Sequence, residues 1–465
     1  MSAPARPPTS TAMATTPGTI GDVANRMERL PATSWQVRVR LLIGTATFFD
    51  AFDALTIAQV LPVLVGQWNI GAGQIGILIS AGYLGQLVGA LLISAVAERR
   101  GRVPAMVVAI VGYSLMSILC ALAWNFESLV VFRTLQGIGL GAQVPIAAVY
   151  ISELTKAHGR GRFVLLYELV FSVGVVFAGL AGFWIVPRLG WQYMFVIGAL
   201  PILVVYFIRR HVPESPRWLA ARGWHEQADA SLQRIETGVA AAARTTLPDP
   251  EPVAVEPPTG RSSGWLEIFR AGYARRTLVV WTIWFAAYLV YYGIGTWMPT
   301  LYRTVFDLSL TAALGFGLIG NVAALAGAAT CALLIDSVGR RPWFTGSLAG
   351  AGFLLCALAA LRADSAVLVL VLGSAAQFFA ASTAIGLYLY TPELYPTRVR
   401  ALGVGTATAW LRIASIVGPL LIGALIGYGL GTIFAIFGAI SLVIAVFVAV
   451  FATETKEQVL EELSP

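Results

Sequence analysis

The chain is poor in charge, cysteine and histidine. Only 12% of its 465 residues are Asp, Glu, Lys or Arg, about half the share of a soluble globular chain. That scarcity argues against the two or three soluble domains that length alone would allow. Cys120, Cys331 and Cys356 all fall in apolar stretches without zinc-like spacing and read as small core hydrophobes. His158, His211 and His225 fall in polar connections, so carboxylates must carry any proton through the apolar spans. There is no Walker loop, nucleotide fingerprint or metal-spaced histidine set. ATP-driven transport, hydrolytic or redox catalysis, a metal and a cofactor are therefore not expected.

What is abundant is apolar sequence. Segments such as 103–123 and 430–452 carry no charge, and about 20 such residues at 1.5 Å each cross a hydrocarbon core of about 30 Å. Spans are expected near 41–65, 74–97, 103–123, 128–152, 162–186, 191–209, 277–301, 309–335, 343–361, 365–390, 400–427 and 430–452. The net charge of +7 could suggest nucleic acid, but its distribution excludes that reading. Arg188, Arg303 and Arg362 fall in one set of loops, and Arg133 and Arg412 lie inside spans. Every other Lys and Arg lies in the tails, in the alternate loops or at the span ends that adjoin those loops. That bias is the positive-inside rule, which places both termini in the cytoplasm, with contact to anionic lipid heads as a second use of the charge.

The expected layout is an all-α membrane protein of twelve helices in two six-helix bundles, 41–209 and 277–452. A Pro/Ser/Thr/Ala-rich tail over 1–40, with no early apolar core, is expected to be disordered and cytoplasmic rather than a cleavable signal. A cytoplasmic loop over 210–276 is expected to carry short helices before a loose linker at 237–262, and 453–465 to form a second tail. The halves repeat: Glu98-Arg-Arg-Gly101-Arg102-Val-Pro104 matches Asp336-Ser-Val-Gly339-Arg340-Arg-Pro342, and Tyr150-Ile-Ser-Glu153-Leu154 matches Tyr390-Thr-Pro-Glu393-Leu394. Each pair follows the second or fourth helix of its half. A parallel repeat of six helices is a transporter layout with the site between halves.

Several motifs resemble the major facilitator superfamily over nearly the whole chain outside the tails. They are AERRGR at 97–102, RTLQGIG at 133–139, PESPRWL at 213–219, DSVGRR at 336–341, PELYPTRVRALG at 392–403 and ETKEQVLEE at 454–462. The resemblance is to the sugar-porter-like branch, nearest to aromatic-acid/proton symporters and niacin carriers. Ser94, Glu98 and Val103 depart from the usual loop motif, and Glu98 preserves its charge. The seventh span, WTIWFAAYLVYYGIGTWMPTLY, lacks the glutamine pair with which sugar porters recognise hydroxyls. The fifth lacks the Gly-Pro motif of drug/proton antiporters.

Five ionisable residues lie inside spans: Asp50, Asp53, Arg133, Glu168 and Arg412. Each costs about 2.5–3.5 kcal/mol at a helix centre on insertion scales, so pairing or function must keep them. Asp50 and Asp53 share a helix face, and two acids in a dry site do not both ionise cheaply. The resemblance places Asp53 at the first-helix aspartate of proton symporters, and FFDAFD resembles a double-aspartate signature. Proton coupling is one reading; a static salt bridge packing the first and fourth spans is the other. Arg133 is the natural partner of Asp53. Glu168 either lines the cavity or is neutral and hydrogen-bonded.

Arg412 has no acid in the C-half membrane core, so it either receives a substrate carboxylate in its planar fork, bonds backbone carbonyls, or pairs across the halves. Tyr288, Tyr291 and Tyr292 could stack on an aromatic substrate or simply pack. Trp281, Trp284 and Trp297 read as interfacial anchors. Glu98, Arg99, Arg102, Asp336, Arg340 and Arg341 are expected to form ion pairs with Glu153, Glu393 and Arg400 as a cytoplasmic gate. Gly101 and Gly339 provide the tight turns. The leading expectation is a monomeric plasma-membrane symporter importing a small organic anion with protons, an aromatic carboxylate of the benzoate or nicotinate type. A sugar, polyol or organic-cation porter and a non-transporting membrane receptor are the alternatives.

Overall fold

A computed structural model describes residues 17–31, 33–154, 160–250, 265–269, 273–395 and 397–456. Among them there is no strand. The helices are α1 (Ile20–Glu28), α2 (Ser34–Trp68), α3 (Ala72–Arg100), α4 (Arg102–Ala121), α5 (Phe126–Leu154), α6 (Arg160–Leu189), α7 (Gln192–Gly198), α8 (Pro201–His211), α9 (Pro216–Ala221), α10 (His225–Ala243), α11 (Tyr273–Thr304), α12 (Leu310–Val338), α13 (Arg340–Ala360), α14 (Ala366–Glu393), α15 (Thr397–Leu425) and α16 (Leu430–Phe451). Among the described residues twelve segments are long and apolar enough to cross a membrane, one of them α7 and α8 together.

The spans outrun their apolar stretches because polar caps extend them. The first begins at Ser34, where the backbone N–H of Thr33 donates to Gln36 Oε1 (2.7 Å). The sixth breaks between Gly198 and Pro201, whose ring fits the first position of a new helix but not a helix interior. Gly101 (φ 107°) and Gly339 (φ 100°) make the turns between second and third spans, a backbone region closed to most side chains.

The two halves use the same helix pairings. In each, the first span packs on the fifth, the second on the fourth, and the third on the fourth and sixth: α2 on α6, α3 on α5 and α4 on α5, α7 and α8, then α11 on α15, α12 on α14 and α13 on α14 and α16. Glycines allow this. A Cβ on Gly85 would lie 2.0 Å from the carbonyl oxygen of Thr134, and one on Gly327 2.0 Å from that of Phe378. The halves meet through α3 on α15, α6 on α12 and α2 on α11. Close approaches occur where Ser80 Oγ donates to the carbonyl of Ile416 (2.8 Å) and where Gly76 faces Pro419. Both lie towards the end of the bundle remote from the chain termini.

At the terminus-bearing end, α1, α9 and α10 form a small unit around Val23, Met27, Trp218, Leu219, Leu232 and Ile235. This differs from the expectation of a disordered tail over 1–40. Residues 20–28 are helical because Thr19 caps them and their apolar face has a partner in α10. Helix α10 also runs to Ala243, into the stretch expected to be linker, since its alanines favour helix. Arg26 fastens the unit with ion pairs to Asp22 (3.2 Å), Asp229 (2.6 Å) and Glu236 (2.6 Å), and Arg29 adds a second to Glu236 (2.6 Å).

Arg26 and Glu236 expose only 13% and 12% of their side chains, so loss of one partner strands a largely buried charge. Arg26→Ala is expected to weaken this unit by about 1–3 kcal/mol, the cost of a buried polar group left unsatisfied, read as faster limited proteolysis within α10. Burial acts to raise the Glu236 carboxyl, but its bonds to Arg26 and Arg29 outweigh that and hold it below the usual glutamate value. A depressed acid stabilises above its unfolded pKa and loses that contribution as pH falls through the folded one. Protection of α10 should therefore hold at neutral pH and fail on acidification below the ordinary glutamate range.

Candidate functional site

The deepest polar cluster lies in the first half. Asp53 on α2 and Arg133 on α5 form an ion pair, Nη1 to Oδ2, at 3.1 Å, with side chains 0% and 2% exposed. Gln136, one turn from Arg133, donates through Nε2 to Asp53 Oδ1 (2.8 Å) and accepts from Arg133 Nη1 (2.9 Å). Ser117 on α4 reaches Asp53 Oδ1 at 3.5 Å while donating to the carbonyl of Phe195 (2.8 Å). The pair thus has the supporting hydrogen bonds without which a buried ion pair seldom repays its desolvation.

Two glycines make room for it. A Cβ on Gly198, at the break in the sixth span, would come 2.9 Å from Asp53 Oδ1; one on Gly82 of α3 would come 3.0 Å from an Arg133 nitrogen.

Asp50 is also buried, with Oδ1 unpartnered. The charges acting on it are those of Arg412 on α15 and of Asp53. Arg412 itself is half-buried, and its guanidinium donates to Gln86 Oε1 on α3. Of the three readings of Arg412, the structure gives a contact across the halves, to an amide, with an acid of the first half in electrostatic reach.

Beside it, Tyr83 packs on Tyr292 with ring centroids 5.1 Å apart. Tyr288, Tyr291 and Tyr292 form one cluster with centroids 5.0–6.2 Å apart. Trp284 and Trp297 are fully buried and so are not interfacial anchors; Trp284 stacks on Tyr288 and donates to Thr391 Oγ1 (2.8 Å). The side chain of Glu168 lies outside the described residues.

At the terminus-bearing end the repeated motifs form two matching clusters. Arg102 pairs with Glu98 (3.0 Å) and Glu153 (3.1 Å), and Arg340 with Asp336 (2.9 Å) and Glu393 (2.8 Å). Each cluster closes within its own half. Arg99 is exposed and makes no ion pair among the described residues. Arg341 turns to the carbonyl of Ala449, and Arg400 Nε donates to that of Tyr395 (3.2 Å).

A further pair of acids was missed in the sequence. Glu214 accepts from the backbone N–H groups of Arg102 (3.0 Å) and Val103 (3.1 Å), and Glu454 from those of Arg340 (2.9 Å) and Arg341 (3.0 Å). Both carboxylates sit on helix N-termini, where the dipole favours an anion. Tyr150 and Tyr390 donate to the residues just before them, to the carbonyls of Pro213 (2.5 Å) and Thr453 (2.8 Å). Their titrations differ. Burial raises Glu214, whereas at Glu454 the upward effect of burial is outweighed by bonds from four backbone N–H groups, which hold it low.

Two bundles of six spans with matched pairings, meeting over buried charge, define a transporter of the major facilitator type. The chain belongs to the sugar (and other) transporter family, which matches residues 51–465. It is 32% identical over 448 residues to the niacin transporter NiaP of Acinetobacter baylyi, covering 95% of this chain and 99% of that one. It is 30% identical over 413 residues to a gallate transporter of Pseudomonas putida, covering 88% and 90%. Its fold matches the Escherichia coli xylose transporter XylE in a partially occluded inward-open conformation, with TM-score 0.71 and 20% identity, over 92% of this chain and 100% of that one. The chain is therefore a multi-pass membrane transporter and not an enzyme.

Gly198→Ala drives a methyl against Asp53, whereas Gly112 on α4 has open space around it. Gly198→Ala is expected to reduce transport at least about tenfold, roughly 1.4 kcal/mol, with Gly112→Ala near wild type in the same uptake assay.

Proposed function

We propose that the chain is a proton-coupled symporter that imports a small organic acid, an aromatic carboxylate of the benzoate or nicotinate type, by alternating access. The observation that carries this reading is the Asp53–Arg133 pair, dry and braced by Gln136, with a second buried acid, Asp50, in electrostatic reach of Arg412 across the halves. A proton on Asp53 would cancel the charge that holds Arg133 and leave the arginine to its remaining bonds with Gln136 and the Asp53 carbonyl. The pair is then a two-state element that a proton biases.

Among the described residues the direct partner of Arg412 is an amide, that of Gln86. A substrate carboxylate would give its planar fork two charged acceptors, and the neighbouring tyrosines would offer ring faces. The niacin and gallate transporters among the relatives support an aromatic acid as cargo.

The charge bias supports a cytoplasmic terminus-bearing end; a plasma-membrane location and a monomeric working unit are part of the same proposal. With that orientation, the contacts of Ser80 and Gly76 with α15 close the outer side, as in an inward-facing state. Arg102 and Arg340, with their acids, stiffen the inner end of each half.

Two measurements test the reading. In proteoliposomes, Asp53→Asn is expected to abolish accumulation driven by an inward proton gradient while exchange of labelled for unlabelled substrate persists; gradient-driven uptake surviving in Asp53→Asn would sink proton coupling. Arg412→Ala is expected to weaken carboxylate binding about tenfold or more, about 1.4 kcal/mol, and an unchanged affinity would redirect the search to neutral or cationic substrates.

A further inference from the structure

The contact between Arg412 and Gln86 lies at the end of a seam. Helices α3 and α15 run past each other in opposite directions. Along them Gly76 faces Pro419, Ser80 Oγ donates to the carbonyl of Ile416 (2.8 Å), and the Arg412 guanidinium donates to Gln86 Oε1. Gln86 follows Ser80 by six residues, about 9 Å along the helix towards the terminus-bearing end. Of these three contacts between the halves, it is the one nearest that end.

The backbone of Gln86 is held in place by α5. A Cβ on Gly141 would lie 2.0 Å from the Gln86 carbonyl oxygen, and one on Gly137 would lie 3.0 Å from its nitrogen. The residue is 1% exposed. Movement of the amide therefore falls to the side-chain torsions and not to the helix.

Arginine only donates, so the oxygen of the amide must face it. The bond engages one of the five N–H groups of Arg412. Among the described residues Arg412 makes no ion pair, and Asp50 acts on it through its field. The residue type at position 86 matters here. A carboxylate would satisfy the cation permanently and shut out a second one. An apolar side chain would leave a half-buried guanidinium without its acceptor, which is costly. An amide holds the arginine with one oxygen and no net charge, whereas a carboxylate offers the planar fork two parallel bonds and an opposite charge. Gln86 is thus strong enough to hold Arg412 and weak enough to lose it.

We infer that Gln86 is a stand-in for the transported carboxylate: its amide oxygen holds Arg412 in the empty carrier and is displaced when a substrate carboxylate takes the guanidinium. The inference rests on the organic-acid reading of Arg412 and adds the group that the substrate must displace. The displacement has a mechanical side. Gln86 and Arg412 belong to different halves, so the exchange undoes one contact of the α3–α15 seam and leaves those of Ser80 and Gly76. The loaded carrier is held less firmly closed at the end remote from the termini than the empty one. That is a differential interaction through which a ligand shifts a conformational equilibrium.

The test measures binding of benzoate and nicotinate to the purified full chain by titration calorimetry, with thermal melting of the empty protein alongside. Gln86→Met removes the acceptor at similar volume. It is expected to tighten binding about threefold or more, because the substrate no longer has a competitor. In an Arg412→Ala background the same substitution should leave affinity unchanged, since no cation remains to compete for. Gln86→Glu supplies a tethered carboxylate: the empty variant should melt at or above the wild-type temperature and bind both acids about tenfold or more weaker. Unchanged or weaker binding in Gln86→Met overturns the stand-in, as does a tightening that persists in the Arg412→Ala background. Should Gln86→Met fail to fold, wild-type affinity in Gln86→Glu overturns it. In each of these cases the carboxylate reading of Arg412 still stands. Failure of both acids to bind the wild type overturns that reading, and the stand-in with it.

Discussion

A charge inside hydrocarbon must find its counter-charge within the protein, and the centre of this molecule is arranged around that constraint. Arg133 and Asp53 are excluded from solvent, so neither has water to turn to. Their pairing requires α2 and α5 to approach at one depth. It also requires α3 and the sixth span to present glycine there, at Gly82 and Gly198, and α4 to place Ser117 within reach. Five helices of one half are thus tied to a single ion pair. Their packing and the proposed response to a proton would have the same source.

The second half meets this centre with one cation and a bank of aromatic rings. Arg412 lies against Gln86 and in the field of Asp50, so the two halves are joined electrically at the depth where a solute would sit. Asp50 and Arg412 act on each other across the boundary, so binding an anion at Arg412 would change the charge that Asp50 experiences. That is the kind of differential interaction by which one ligand alters the equilibrium of another.

Much of this was legible in the sequence. Uncharged runs of about 20 residues marked the spans, the matched loop motifs marked the halves, and the cost of intramembrane charge singled out Asp53 and Arg133. The turn glycines Gly101 and Gly339 were readable because only their conformation explained them. Neutral partners were harder. Gln136 and Ser117 carry no penalty that draws attention, and their bonds to Asp53 exist only after three helices have packed. Glu214 and Glu454 escaped notice because each lies far in sequence from the turn it caps. The signal was present in Tyr150-to-Pro213 and Tyr390-to-Thr453, which share one spacing. Helix α1 was masked by its proline- and serine-rich surroundings, and its few apolar residues count only against α10.

The two charge clusters at the terminus-bearing end have a consequence beyond their own geometry. Each arginine there neutralises acids of its own half, and each capping carboxylate sits on a helix of that same half. Among the described residues each bundle therefore keeps these charges matched within itself, so a movement of one bundle against the other would leave those bonds intact. In evolutionary terms, such a half is a self-contained module. After duplication, substitutions in one bundle could alter cargo preference without first unlearning an electrostatic dependence on its twin at this end of the molecule.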